Sequence, residues 1–207
     1  MPRPPPRTDE RRRVVVLSRN DQAPRRSLRN QPELLRALRA ALAQINAATD
    51  SMQQLGEQRR GGRPLVLDVF QSNRLVHSGD GSRISEWAGV GGAADDGGGL
   101  STAETTFAMR LTEAAALFSR AALLTGPHGG GFLNLIYCAP GTPIVEIGYT
   151  SAQPMAYPSY YHTMARRLGL PFWVVLGSGA YDRPISAPVA EVAGLVKTLL
   201  GGGGDHG

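Results

Sequence analysis

The chain has 207 residues, and its 42% hydrophobic and 19% charged residues are ordinary proportions for a globular protein. No apolar run approaches the ~18 residues of a transmembrane helix, and the N-terminus, rich in Pro and Arg, lacks the apolar segment of a secretory signal. The single cysteine, Cys138, excludes an intrachain disulfide and a cysteine-based zinc site. The four histidines are scattered without helical metal-site spacing, so a metalloprotein is not expected.

Positive charge is concentrated in the first third of the chain. Residues 1–63 carry a net charge of +8 and residues 64–207 a net charge of −3, and 21 of the 22 basic residues are Arg. Arg clusters can bind phosphate or nucleic acid. However, abundant Ala, Gly and Pro indicate GC-rich codon usage as the simpler source of most Arg. Because a zinc-finger pattern and an aromatic-interleaved basic stretch are both missing from the sequence, no nucleic-acid partner is expected.

Strand and helix patterns alternate along most of the sequence, after a predicted disordered leader over residues 1–12. Short apolar runs, several of them rich in β-branched residues, predict strands at residues 14–17, 64–70, 121–125, 143–147 and 171–176. Apolar residues at helical spacing predict helices at residues 31–58, 103–120, 160–168 and 189–200, and a helix start at 132–137. Residues 77–101, dominated by Gly, Asp and Ser, are expected to form a flexible insertion, and residues 201–207 a disordered tail.

This alternation predicts an α/β domain over residues 13–200. The expected architecture is a Rossmann-like, doubly wound and mostly parallel sheet of about five strands with helices on both faces. Sheets of this kind bind ligands outside the carboxyl ends of their strands. The loops after residues 17, 70, 125 and 147 are therefore the candidates for a site.

A glycine-rich loop follows the third predicted strand and reads Gly126-Pro127-His128-Gly129-Gly130-Gly131. Glycines allow close approach of a ligand to the backbone, and the N-terminus of the following helix offers N–H groups to an anion. His128 could add a hydrogen bond or a positive charge at a phosphate. A plain tight turn is the alternative interpretation. The loop matches neither the Walker pattern nor the dinucleotide-binding glycine fingerprint.

An esterase is a further alternative, because His-Gly-Gly-Gly also forms the oxyanion-hole loop of some α/β-hydrolases. That fold needs a Gly-x-Ser-x-Gly nucleophile elbow. The nearest segment, Leu176-Gly177-Ser178-Gly179, is out of register with this pattern, and His206 lies in the predicted tail. The esterase interpretation is therefore disfavoured.

Two further places carry candidate polar residues. Arg19, Arg26 and Asn30 follow the first strand and could bind a diphosphate. The alternative is a solvated basic loop without a ligand, which would have the same sequence pattern. Glu146 lies in an apolar strand, where burial of a carboxylate is costly unless it is paired. At the end of a parallel strand it could accept hydrogen bonds from a ribose; the alternative is a solvent-facing Glu at a strand edge.

Three ordered blocks of the sequence resemble glycosyltransferase family 61. The first block is Ser18-Arg19 with Arg26-Ser27-Leu28-Arg29-Asn30, where the family has Ser-Arg and Arg-x-Ile/Leu-x-Asn before a helix. The second is Gly126-Pro127-His128-Gly129-Gly130-Gly131-Phe132-Leu133-Asn134, where the family has Gly-Pro-His-Gly-Ala-Gly-x-x-Asn. The third is Pro140-Gly141-Thr142-Pro143-Ile144-Val145-Glu146-Ile147, close to the family's Pro-Gly-x-x-Val/Ile-Val/Ile-Glu-Ile/Leu.

The resemblance implies the donor-binding, C-terminal half of a GT-B-type inverting glycosyltransferase. Its donor is a nucleotide sugar, commonly a UDP-sugar, used without an essential metal or other cofactor. The implied site consists of Arg19, Arg26, Asn30, His128, Gly129, Gly130, Gly131, Asn134 and Glu146. In it, Arg26 and His128 act catalytically on the leaving diphosphate with help from Arg19, Asn134 braces the glycine loop, and Glu146 lies near the ribose.

The chain also departs from the family pattern. Gly130 replaces a usual Ala, and Glu113 is followed by Ala114 where the family often has Glu-Gln. An N-terminal acceptor-side domain is expected as a missing partner, with a glycan or glycoprotein as acceptor and the Golgi or endoplasmic reticulum lumen as location. The chain is accordingly expected to be a fragment or a degenerate paralogue. The alternative function is a non-catalytic nucleotide- or phosphate-binding module.

Overall fold

The computed structural model describes residues 10–19, 27–54, 64–71, 74–77, 107–108, 111–150 and 160–202. The strands within these ranges are β1 (Arg13–Ser18), β2 (Val66–Gln71), β3 (Arg74–His77), β4 (Phe107–Ala108), β5 (Ala121–Pro127), β6 (Ile144–Thr150) and β7 (Phe172–Ser178). The helices are α1 (Gln31–Gln54), α2 (Leu111–Ser119), a 3-10 helix (Gly130–Tyr137), α3 (Tyr160–Arg167) and α4 (Val189–Gly201).

The strands form one sheet in the order β4-β3-β2-β1-β5-β6-β7. The five strands from β2 to β7 in this order are all parallel, which confirms the predicted Rossmann-like α/β fold. Two antiparallel strands, β3 and β4, extend one edge and were not expected from the sequence. From β1 the chain adds β2 on one side, whereas β5, β6 and β7 follow on the other. The crevice of such a sheet lies at this reversal, between the carboxyl ends of β1 and β5.

Strand β1 is the centre of the core, because its side chains are buried on both faces of the sheet. Val14 and Val16 pack on the face covered by α1 and α4. Val15 and Leu17 pack on the opposite face, under α2, the 3-10 helix and α3. A continuous run of apolar, β-branched residues is the pattern of a strand covered on two sides.

Helix α1 begins with Pro32 in its first turn, as the sequence predicts. Its buried stripe of Leu34, Leu38 and Leu42 joins Val192 and Val196 of α4 in one apolar cluster. Residues 55–58 of the predicted helix lie outside the described residues. The two helices thus share the cover of one face.

Two predicted helices differ in the structure. The prediction of helix at 107–108 is wrong, because Phe107 and Ala108 pair with Leu75 and Arg74 as strand β4; helix begins only at Leu111. The helix start predicted at 132–137 is a short 3-10 helix that begins earlier, at Gly130. It ends at Tyr137; Cys138 after it has an extended backbone, and Pro140 follows two residues later.

The predicted leader, insertion and tail lie largely outside the described residues, which omit 1–9, 78–106 and 203–207. At the end of the leader, Arg11 Nη1 donates to the carbonyl of Pro140 at 2.8 Å. The carbonyl of Arg12 accepts from the N–H of Val66 at 2.9 Å. Among the helices of the described ranges, none has the length and apolarity needed to cross a membrane.

A segment near the C-terminus holds the residues that precede α1. Ile185 donates its N–H to Ser27 at 2.8 Å and accepts from the N–H of Arg29 at 2.9 Å. The Asn30 side-chain amide donates to the Ala187 carbonyl, and its oxygen accepts from the Ala187 N–H, both at 2.9 Å. The loop between β1 and α1 is therefore anchored at its far end by residues close to α4.

A buried ion pair joins the amino ends of β1 and β2. Arg13 Nη1 donates to both carboxylate oxygens of Asp68 at 3.0 Å, and the two side chains are 1% and 0% exposed. Removal of one member of such a pair strands a buried charge, whereas replacement of both members by apolar groups costs far less.

We expect Asp68→Asn to lower the free energy of unfolding by about 3–5 kcal/mol, because Arg13 loses its buried carboxylate. The double variant Arg13→Met/Asp68→Leu should be markedly more stable than Asp68→Asn. Urea unfolding of the wild type, Arg13→Met, Asp68→Leu and the double variant closes a mutant cycle and gives the coupling energy. Additive losses from the two single variants would contradict a tightly coupled pair.

Candidate functional site

The reversal in strand order brings Arg19 and the glycine loop together. Arg19 follows the last residue of β1, and His128 follows the last residue of β5. Arg19 Nη1 donates to the His128 carbonyl at 3.4 Å, although 109 residues separate them in the sequence. The first and second sequence blocks therefore meet at the edge where sheets of this class bind ligands.

The glycine loop is shaped by close approach of the backbone to β1. A Cβ on Gly126 would lie 2.6 Å from both the Cβ and the carbonyl oxygen of Leu17, and its φ of +154° disfavours other residues. A Cβ on Gly129 would lie 2.5 Å from Nη1 of Arg19, so the guanidinium rests directly on this glycine. At Gly130 a Cβ would meet nothing within 4 Å, so the alanine usual in family 61 fits here.

The 3-10 helix begins at Gly130, directly after the glycine that contacts Arg19. Its first turn closes with the N–H of Phe132 donating to the Gly129 carbonyl at 3.0 Å. Gly130 and Gly131 come before Phe132 in the chain, at the start of the helix. Backbone N–H groups at a helix start can bind an anion. Asn134 Nδ2 donates to the Gly131 carbonyl at 2.9 Å, which fixes the turn from inside.

The side chain of His128, within the loop, is buried with both ring nitrogens engaged. Nδ1 is 2.5 Å from Oε1 of Glu146, and Nε2 is 3.0 Å from the hydroxyl of Tyr160. His128 is 0% and Glu146 1% exposed, whereas Tyr160 is 51% exposed. If Glu146 is ionised and His128 neutral, Nδ1–H donates to Glu146 and Nε2 is left to accept from the Tyr160 hydroxyl. The second and third sequence blocks are joined by this pair.

Aromatic rings enclose the imidazole. The ring centroids of Tyr161, Tyr160 and Tyr149 lie 5.3, 5.5 and 5.8 Å from that of His128. These three tyrosines were missed in the sequence analysis. The available signal was the Tyr160-Tyr161 pair at the start of the predicted helix after β6, because that helix starts at the same edge of the sheet.

The remaining candidate residues have clear positions. The alternative of a solvent-facing Glu146 is wrong, since its carboxylate is buried against His128. Both polar atoms of the Asn30 side-chain amide are hydrogen-bonded to the backbone of Ala187. Arg26 lies outside the described residues. The roles assigned to these residues in donor binding stay predictions.

Searches of the sequence against protein-family models and against curated proteins find no significant match. The resemblance to glycosyltransferase family 61 is thus carried by its three sequence blocks. Arg19, His128 and Glu146, one from each block, form a continuous chain of contacts at one edge of the sheet.

The other reactive groups lie elsewhere. Ser178 ends β7 and exchanges two backbone hydrogen bonds with Ser186, so no helix follows it as a nucleophile elbow requires. Within the described ranges, no three His, Cys, Asp or Glu residues are grouped as for a metal ion. Burial raises the pKa of the Cys138 thiol from 9.0 to about 12, and the nearby charge of Arg11 opposes this rise.

We expect Cys138 to be unreactive in the folded protein. Its pKa of about 12 lowers the thiolate fraction at pH 8 by roughly a thousandfold relative to an ordinary thiol. The rate of reaction with a disulfide reagent, measured before and after denaturation, tests this. Labelling of the native chain at the rate of the denatured chain would contradict the burial.

The glycine loop offers a matched pair of substitutions. Gly126→Ala should destabilise the protein by about 3 kcal/mol, because the new methyl meets Leu17 at an unfavourable φ. Gly130→Ala should change stability by less than about 1 kcal/mol, because its methyl meets open space. Thermal unfolding of both variants tests this. Equal losses would show that the loop is not held against β1.

Proposed function

We propose that the chain is a nucleotide-sugar-binding domain of an inverting glycosyltransferase, with a UDP-sugar as the donor class. The observation that supports this best is the Arg19 guanidinium resting on Gly129, between the carboxyl ends of β1 and β5. A cationic fork beside a glycine turn suits a diphosphate, whose oxygens accept from both guanidinium and backbone N–H groups.

In this proposal the donor diphosphate lies between Arg19 and the amides of Gly130 and Gly131. Arg26, which precedes α1 in the sequence, would supply a second guanidinium in this proposal. When an acceptor hydroxyl attacks the anomeric carbon, the bond to the diphosphate breaks and negative charge grows on the leaving oxygen. Preformed donors aimed at that oxygen lower the barrier without reorganising, which is how arginines and amides take the role of a metal.

We assign His128 a positioning role in this site. Its ring nitrogens are engaged by Glu146 and Tyr160, while its carbonyl accepts from Arg19. The ring therefore fixes the backbone that Arg19 and the glycine amides share. The resemblance implies three further parts of this proposal. The acceptor is a glycan or glycoprotein, an acceptor-side domain completes the enzyme, and the location is the Golgi or endoplasmic reticulum lumen.

A non-catalytic nucleotide- or phosphate-binding module is the second candidate. The full burial of His128 favours it, because the imidazole as placed reaches a bound ligand only through its neighbours. Both candidates require nucleotide binding at Arg19, and turnover of a UDP-sugar separates them.

We expect UDP to bind the purified chain with or without Mg²⁺, and Arg19→Gln to weaken binding about 10- to 100-fold through loss of a charge-assisted hydrogen bond. Arg26→Ala should weaken it similarly. Arg166→Gln is the matched control, because this exposed arginine lies in the last turn of α3, away from the carboxyl edge. Isothermal titration calorimetry gives the affinities. Unchanged affinity in Arg19→Gln, or no binding to the wild type at millimolar UDP, would refute the proposed site.

A further inference from the structure

Tyr160 connects the buried His128–Glu146 pair to the surface. Of the three side chains, Glu146 and His128 are 1% and 0% exposed, and Tyr160 is 51% exposed. Their polar atoms form one line of contacts, from Oε1 of Glu146 to Nδ1 of His128 and from Nε2 of His128 to the Tyr160 hydroxyl. Within this trio, a proton can reach solvent or a ligand through the phenol.

Glu146, His128 and Tyr160 stand in the order in which a carboxylate strengthens an imidazole as a base, and the imidazole strengthens a phenol. The carboxylate of Glu146 accepts from Nδ1–H, which fixes the tautomer and stabilises the imidazolium that forms when Nε2 takes a proton. In this tautomer Nε2 is the acceptor for the Tyr160 hydroxyl, whose oxygen lies 3.0 Å away. An amide side chain would hold the loop equally well, but it could not take up this proton.

Tyr160 also stands on the functional edge of the sheet. It is the first residue of α3, the helix that follows β6, so it lies at the carboxyl end of the parallel strands. It shares one neighbour with Arg19, since the guanidinium bonds the His128 carbonyl and the phenol bonds the His128 ring. The phenol and the cation that receives the diphosphate therefore flank the same residue.

We propose that Tyr160 is the general base of the transfer reaction, an inference that rests on the proposed function. The phenolic oxygen takes the proton of the attacking acceptor hydroxyl while its own proton passes to Nε2 of His128. The acceptor oxygen forms the bond to the anomeric carbon, and the electron pair of the breaking bond goes to the diphosphate. The reaction leaves an imidazolium paired with Glu146 and one more negative charge on the released nucleotide.

The first measurement compares two tyrosines in one molecule and needs no donor. Tyr181 is exposed to a similar fraction, 48%, and its ring packs on Tyr149. An aryl sulfonyl fluoride modifies a phenol when the oxygen attacks sulfur, fluoride leaves and a base takes the proton. With Nε2 of His128 as that base, Tyr160 should be modified about tenfold faster than Tyr181, as followed by peptide mass spectrometry. Equal rates, or faster modification of Tyr181, would overturn the proposal.

The second measurement separates chemistry from binding. Tyr160→Phe removes only the hydroxyl, so hydrolysis or transfer of a UDP-sugar should fall about 100- to 10,000-fold with UDP affinity unchanged. Tyr181→Phe is the matched control and should keep both. Turnover retained in Tyr160→Phe, or donor binding without any turnover by the wild type, would overturn the role of Tyr160 and leave the donor site standing. Absence of UDP binding to the wild type would instead refute the proposed function itself.

Discussion

The close approach of β5 to β1 at Gly126 is the constraint on which the site depends. A side chain at this position would overlap the backbone of Leu17, so only glycine lets the two strands end side by side. Across the sheet, Gly126 is in register with Glu146 of β6. The same residue therefore sets two distances: from the glycine loop to Arg19, and from the loop to the carboxylate under it. Because Gly126 has no side chain, Arg19 and Glu146 can both contact the residues that follow β5.

The buried His128–Glu146 pair and the half-exposed Tyr160 brace the glycine loop. An unpaired carboxylate in this position would carry a large desolvation penalty, which the imidazole and its hydrogen bonds offset. The enclosing tyrosines exclude water and leave the imidazole few alternative orientations. The loop is thus held by the hydrogen bonds of the His128 ring and by the contact of the Arg19 side chain with Gly129.

Elements whose formation depends on residues close together in the sequence could be predicted from the local sequence pattern. The valine run of β1 and the leucine stripe of α1 were predicted at their places. Of the predicted glycine loop, only His128 and Gly129 lie outside β5 and the 3-10 helix. Strands β3 and β4 were not predicted, because their short segments are strands only through pairing with each other and with β2. Glu146 was recognised as unusual, but its partner depends on strand register across β5 and β6. Tyr160 was missed because its significance comes from the histidine it meets, 32 residues away in sequence.

The anchoring of the loop before α1 has a consequence for biosynthesis. Asn30 is tied to Ala187, which is 157 residues further along the chain. During translation the N-terminal arginine loop emerges early, yet the backbone that fixes its far end is made almost last. Contacts of such long sequence separation form late, because the intervening chain must first be ordered. A ribosome-bound chain that stops short of Ile185 therefore lacks the backbone to which Ser27, Arg29 and Asn30 are hydrogen-bonded.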